Sequence, residues 1–334
     1  MTYPDGTALT YQYQADGRLD QVWAATELLA DYDYDLNGRL EQVTSNAATT
    51  TSTYAYDGRD QLRRVVHTTG RTPVAEFEYT YDRLGQRRAL TETVTTTLAG
   101  VDSTRVITYA YDGLQRLTSA VESPGNTHAF AYDRVGNRTE AWMNGGPTEA
   151  VTYNAANQRD DWHYDAAGNL LGYAPGATTY GYDALNRLVS VGAGAIQYRY
   201  NGDGVLVAET IGSRTTRYAQ DTVAPLAEVL QIAAPEQTTT YLYGMERLAG
   251  VGPTGTDWYL HDGLGSVRLT LDDAGVPVDP SGYSYTPFGV PQSGAIAEPF
   301  GFTGEQWDAA TGLDFSLFTS CGGVYCLSSD LDYW

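Results

Sequence analysis

The chain has 334 residues and a net charge of −21, with a pI near 4.3. That balance excludes a nucleic-acid groove, which needs a basic patch to meet phosphate, and no apolar run is long enough to span a membrane. The opening Met1-Thr2-Tyr3-Pro4-Asp5-Gly6 has neither the basic start nor the apolar stretch of a signal peptide.

Length alone suggests two domains, but a recurring phrase overrides that prior. It is an aromatic, any residue, Tyr, Asp, then a turn with Gly or Asn, then Arg or Leu. Loose copies at 11–19 and 32–40 lead into Tyr54-Ala55-Tyr56-Asp57-Gly58-Arg59. Regular copies follow at 79–87, 109–117 and 130–138, looser ones at 153–159 and 164–170, then Tyr180-Gly181-Tyr182-Asp183-Ala184-Leu185-Asn186-Arg187-Leu188 and 198–206. The last Tyr before each turn stands at 34, 56, 81, 111, 132, 153, 164, 182 and 200. The closest pair, Tyr153 and Tyr164, leaves room for two turns in direct succession.

Each copy predicts a β-hairpin. Two aromatics two residues apart share a strand face. The Asp that follows accepts the backbone N–H two residues on, starting an Asx turn. Gly85, Gly136, Gly168 or Asn186, three residues after the Asp, suits a positive φ. Segments 24–30 and 224–232 read equally as short helices, strands or loops. Elsewhere the Thr-rich and β-branched stretches point to an all-β chain.

Tyr outnumbers Phe 27 to 7, so the buried surface carries many hydroxyls that need a partner or water. A sheet with one face on a partly polar interior suits such a composition. All 20 basic residues are Arg, with no Lys. Arg can stack on a Tyr ring while forking onto an Asp; a GC-rich coding bias is the alternative account.

From 207 to 289 the phrase loosens, through Arg217-Tyr218-Ala219-Gln220-Asp221, Tyr241-Leu242-Tyr243-Gly244 and Tyr283-Ser284-Tyr285-Thr286-Pro287-Phe288-Gly289. Within it, Trp258-Tyr259-Leu260-His261-Asp262-Gly263-Leu264-Gly265-Ser266-Val267-Arg268-Leu269-Thr270 reads as strand, turn, strand, followed by the turn Asp272-Asp273-Ala274-Gly275. Phe300-Gly301-Phe302-Thr303-Gly304-Glu305-Gln306-Trp307-Asp308 and Thr311-Gly312-Leu313 come next. The expected organisation is regular Tyr-Asp hairpins over 1–206, diverged repeats over 207–315, and an unmatched tail over 316–334.

The ordered set of these pieces resembles the RHS/YD-repeat family, specifically its RHS-repeat-associated core, over about 1–315. The resemblance implies a spiral array of antiparallel β-hairpins forming part of a hollow YD-repeat shell. It also implies a structural role: enclosing or presenting a C-terminal toxin or effector during export, secreted or at the cell surface as part of a longer bacterial protein. An extracellular adhesion or glycan-binding module is the alternative partner class. After Thr-Gly-Leu the family pattern continues with Arg-Tyr-Tyr-Asp-Pro and a region tied to self-cleavage. Here Asp314-Phe315-Ser316-Leu317-Phe318-Thr319-Ser320-Cys321 follows instead. A truncated or frame-shifted reading of a longer gene is the preferred account, and a short member with its own tail the other.

No catalytic, cofactor-binding or metal-ligating residue is assigned. Asp57, Asp82, Asp112, Asp133, Asp165 and Asp183 share one turn slot, so they read as turn formers. Asp31-Tyr32-Asp33-Tyr34-Asp35-Leu36-Asn37-Gly38 alternates acids but lacks a downstream bidentate Glu for calcium. His261-Asp262 with Ser266 lacks a nucleophile elbow, and Ser266 is expected to point across the turn. Asn137-Arg138-Thr139 is a formal glycosylation sequon inside a repeat turn. Cys321 and Cys326 can pair only within the tail. A glycoside hydrolase, the third reading, requires two carboxylates outside the repeat slots to converge in a pocket.

Overall fold

The computed structural model describes residues 1–45, 49–95, 102–173, 178–223, 227–292, 298–311 and 313–315. Thirteen antiparallel strands, from Leu9–Tyr13 to Gly146–Ala150, form one sheet in which every strand pairs with its neighbours in sequence. Ten more, from Tyr180–Tyr182 to Val267–Leu271, form a second sheet with the same consecutive order. Between them lie the single bridge Tyr153–Arg159 and the short ladder of His163–Tyr164 with Leu170–Gly172. A 3₁₀ turn at Phe302–Gly304 and the ladder of Gln306–Asp308 with Leu313–Phe315 follow. The all-β reading therefore holds. The ambiguous segments at 24–30 and 224–232 hold no helix where described: they are strand apart from a tight turn at Ala25 and Thr26 and the irregular Ala227.

One local irregularity recurs. The register shifts between Asp33 and Tyr34, Ala55 and Tyr56, Thr80 and Tyr81, Ala131 and Tyr132, Gly181 and Tyr182, and Arg199 and Tyr200. A bulge at the last Tyr of each strand re-aims that side chain and increases the local twist.

The core joins the two sheets. Val22, Tyr32 and Val43 of the first belong to one cluster with Leu188, Tyr241, Trp258 and Leu269 of the second. Val65, Phe77, Tyr79, Leu90 and Ile107 form a smaller cluster within the first sheet. Strand Val267–Leu271 is buried at all five positions, so it has protein on both faces.

Candidate functional site

The repeat is a clamp whose parts belong to successive hairpins. In the Asp57 turn, Oδ1 accepts the N–H groups of Arg59 (2.8 Å) and Gln61 (3.0 Å). The Asp57 N–H donates to Gln61 O, and the Asp60 N–H donates back to Asp57 O. The same pattern recurs at Asp82, Asp112, Asp165 and Asp183, and with Asn at Asn154 and Asn201. Gly85, Gly136, Gly168 and Asn186 all have positive φ, as expected, and so do Asp60 and Gln115 in the same slot.

The Arg that closes a turn holds its own Asp and covers the next hairpin's Tyr. Arg39 Nε lies 2.7 Å from Asp35 Oδ2, and its guanidinium sits 4.6 Å from the Tyr56 ring centre. Arg116 repeats this with Asp112 and Tyr132, and Arg187 with Asp183 and Tyr200. Each of those Tyr hydroxyls then donates to the carbonyl just after that Arg: Tyr56 to Leu40, Tyr132 to Leu117 and Tyr200 to Leu188. Tyr34, Tyr81, Tyr111 and Tyr153 reach Leu19, Leu62, Arg87 and Arg138 in the same way. Gln220 does so with its side-chain amide, to Leu206. These seven outer Tyr hydroxyls therefore find the partner that burial of so many hydroxyls requires in a neighbouring backbone carbonyl.

The inner Tyr meets the last third of the chain. The Tyr79 hydroxyl accepts the Gly263 N–H at 2.7 Å, and the Tyr32 hydroxyl accepts the Met245 N–H at 3.2 Å. Both sites need glycine. A Cβ on Gly263 would lie 2.7 Å from Leu62 and 3.0 Å from the Tyr79 ring, and one on Gly244 would collide with the Tyr32 hydroxyl. Beside them, His67 donates through Nε2 to the His261 carbonyl (2.9 Å) and accepts Ser52 Oγ–H at Nδ1 (2.7 Å). The carbonyl can only accept, and this fixes the tautomer. Burial pushes the His67 imidazole down to about 4.

The His-Asp-Gly-Leu-Gly-Ser-Val-Arg segment is a repeat turn with an added inward arginine. Asp262 Oδ1 accepts the Leu264 and Ser266 N–H groups, and Oδ2 takes Arg268 Nη1 at 3.0 Å. Arg268 also reaches Glu92 at 2.6 Å and the Tyr283 carbonyl at 2.8 Å, and stacks on Phe77. Arg105 bonds Glu92, Glu122 and Gln292, and Gln292 returns to Glu122. Burial works to raise the Glu92 carboxyl, but Arg268 and Arg105 outweigh it and hold it below the ordinary range. Ser266 does not point across its turn: it is fully buried, and Oγ accepts the Thr303 N–H. Phe288 packs edge-on to Phe130 at 4.8 Å. Two of the late motifs thus reach the first sheet, and the third, at Thr303, closes on Ser266. Sequence reasoning missed Glu92, although it stands in phase with Leu90 and Val94 on the buried face, where a charge signals a partner.

The other flagged residues have ordinary settings. Asp35 anchors its turn and Asp31 accepts the Gln21 amide. Among the described residues no three acids, histidines or cysteines converge as metal ligands. Asn137 bonds Asp133 and Asn157 across adjacent turns. Cys321 and Cys326 lie outside the described residues. Four carboxylates outside the repeat slots, Glu209, Asp257, Glu298 and Asp308, line one cavity. No helix of the described residues is long and apolar enough to cross a membrane.

A Teneurin YD-shell family model matches residues 5–141, and an RHS Repeat model matches 164–195. Mouse Teneurin-3 is 29% identical over 132 residues, covering 37% of this chain and 4% of that protein. The Photorhabdus luminescens Tc holotoxin pore structure superposes over 94% of this chain at 16% identity with a TM-score of 0.76. A TcdB2-TccC3-Cdc42 crystal structure does so over 93% at 17% identity and 0.74. In both cases the match covers 18% of the solved chain, so this chain spans about a fifth of the structures it resembles.

Proposed function

This chain is an RHS/YD-repeat protein, and from that premise we propose that it forms part of a container wall that encloses or presents a C-terminal effector during export. The observation that carries this reading is the direction of the aromatic rows. Tyr32, Tyr79, Tyr180 and Tyr198 are buried in the core, and Tyr34, Tyr81, Tyr182 and Tyr200 pack against it. Rings placed this way build a wall, and these rows offer their faces to the core rather than to a sugar. The likeness in fold to the Tc toxin structures supports the same reading. On it the protein acts outside the producing cell, the effector is its partner, and the wall has no catalytic step of its own. The test is to sequence the gene across codons 314–334 in all frames and downstream. A restored core followed by a variable domain supports the container; a true stop with nothing beyond removes the cargo.

The second reading is an extracellular adhesion module, favoured by the likeness to Teneurin-3 over the first sheet. Retention of the purified chain on cells or on a glycan array would select it.

A further inference from the structure

A cavity of about 440 Å³ opens between the second sheet and the segment that follows Pro299. Four carboxyl groups line it: Glu209, Asp257, Glu298 and Asp308. The one basic residue in its lining, Arg214, is half-exposed and turned to Glu236, 3.0 Å away. Tyr218, Tyr259 and Trp307 supply aromatic walls. The Tyr198 and Thr311 hydroxyls bond Asp308 Oδ2 at 2.7 and 2.6 Å, and the Tyr259 hydroxyl bonds Glu298 at 2.6 Å. Glu209 is the exception. It is 9% exposed, Tyr218 reaches its Oε2 at only 3.4 Å, and among the described residues no N–H or O–H donor reaches its buried Oε1. The Asp308 carboxyl, held by the hydroxyl of Tyr198, which is Glu209's partner across the ladder, lines the same cavity and is another acceptor.

Two carboxylates facing one cavity repel unless a proton or an external cation lies between them. Among the described residues that line the cavity Arg214 is the only basic one, and Arg247, whose charge also acts on Glu298, is engaged by the Gly304 carbonyl and the Phe300 ring. We propose that this cavity binds a guanidinium or ammonium group on an apolar stem, an arginine or lysine side chain or a polyamine, between its carboxylates and aromatic walls. Burial and the Asp308 charge push Glu209 up to about 7, and burial also raises Asp257 and Glu298. The proton held by the acid pair therefore competes with the incoming cation.

Isothermal titration of the whole chain with N-acetyl-argininamide and with spermidine tests this at pH 6 and pH 8. Binding about tenfold tighter at pH 8 is expected, with proton release seen as a buffer-dependent heat at pH 6. Asp257→Asn and Glu298→Gln, made separately and checked for an unchanged thermal midpoint, should each weaken binding at least fivefold, and Arg214→Ala should strengthen it. Response to the first probe alone assigns a guanidinium site, and to the second alone an ammonium site. No heat from either at 10 mM, or binding indifferent to both acid variants, overturns the proposal and leaves a sealed pair sharing one proton.

Discussion

The two tyrosines of a repeat do different work with the same hydroxyl. The outer one donates to a neighbouring carbonyl that keeps a second lone pair. The inner one, at Tyr32 and Tyr79, accepts a backbone N–H, which at Gly263 lies outside any strand ladder. Tyr81→Phe should therefore cost ~1 kcal/mol, while Tyr79→Phe, which strands a buried donor, should cost up to ~3 kcal/mol. Urea unfolding of the two variants ranks them, and an equal or reversed order removes the distinction. Gly263→Ala should exceed both, because its Cβ would press on Leu62 and on the Tyr79 ring together. Its expected signature is loss of the cross-sheet contact: amide exchange at Gly263-Leu264 should speed up while the Asp57 turn stays protected.

At the scale of the hairpin, Gly136 has φ +108° and open space where a Cβ would stand, so backbone strain alone opposes a side chain there. Gly136→Val should cost ~1–2 kcal/mol, and Gly136→Asn clearly less, by denaturation midpoint. Much at this scale was legible in the sequence. The aromatic-x-Tyr-Asp phrase gave the strand ends, the Asx turn and the positive-φ slot, because all three depend on contacts within five residues. The Arg–Tyr stacking was legible as chemistry but not as direction, since a side chain that crosses to the next repeat leaves no spacing rule inside its own. The Asp308–Glu209 pair and the Glu92–Arg268 network were illegible. Their members are about 100 and 176 residues apart, and only the packing of separate sheets joins them. Tyr283-Ser284-Tyr285 looked like another repeat strand, yet it forms only the bridge Tyr285–Pro291: its Tyr285 hydroxyl goes to the Val267 carbonyl, and the segment covers the sheet rather than extending it.

For the whole molecule, the closure of the late segments on the first sheet should be acid-sensitive. The folded-state pKa of His67 lies below its unfolded value of about 6.5, so the unfolded chain binds more protons in between. This contribution is full above pH 6.5 and is lost as pH falls toward 4, for a total of ~3 kcal/mol. Glu122, held down to about 2 against its burial by His128, Gln292 and Arg105, extends the loss below pH 4.5. Urea midpoints of wild type should fall between pH 6.5 and 4, and His67→Gln should flatten that slope; an unchanged slope assigns the acid loss elsewhere. The clamp has a further consequence. Arg39 reaches forward to Tyr56, and Tyr56 reaches back to Leu40, so each hairpin completes its predecessor and prepares a seat for its successor. Such a wall has a grain. A chain leaving the ribosome offers its seats in the order in which their occupants emerge, so it can be laid down course by course, each hairpin docking before the next is made.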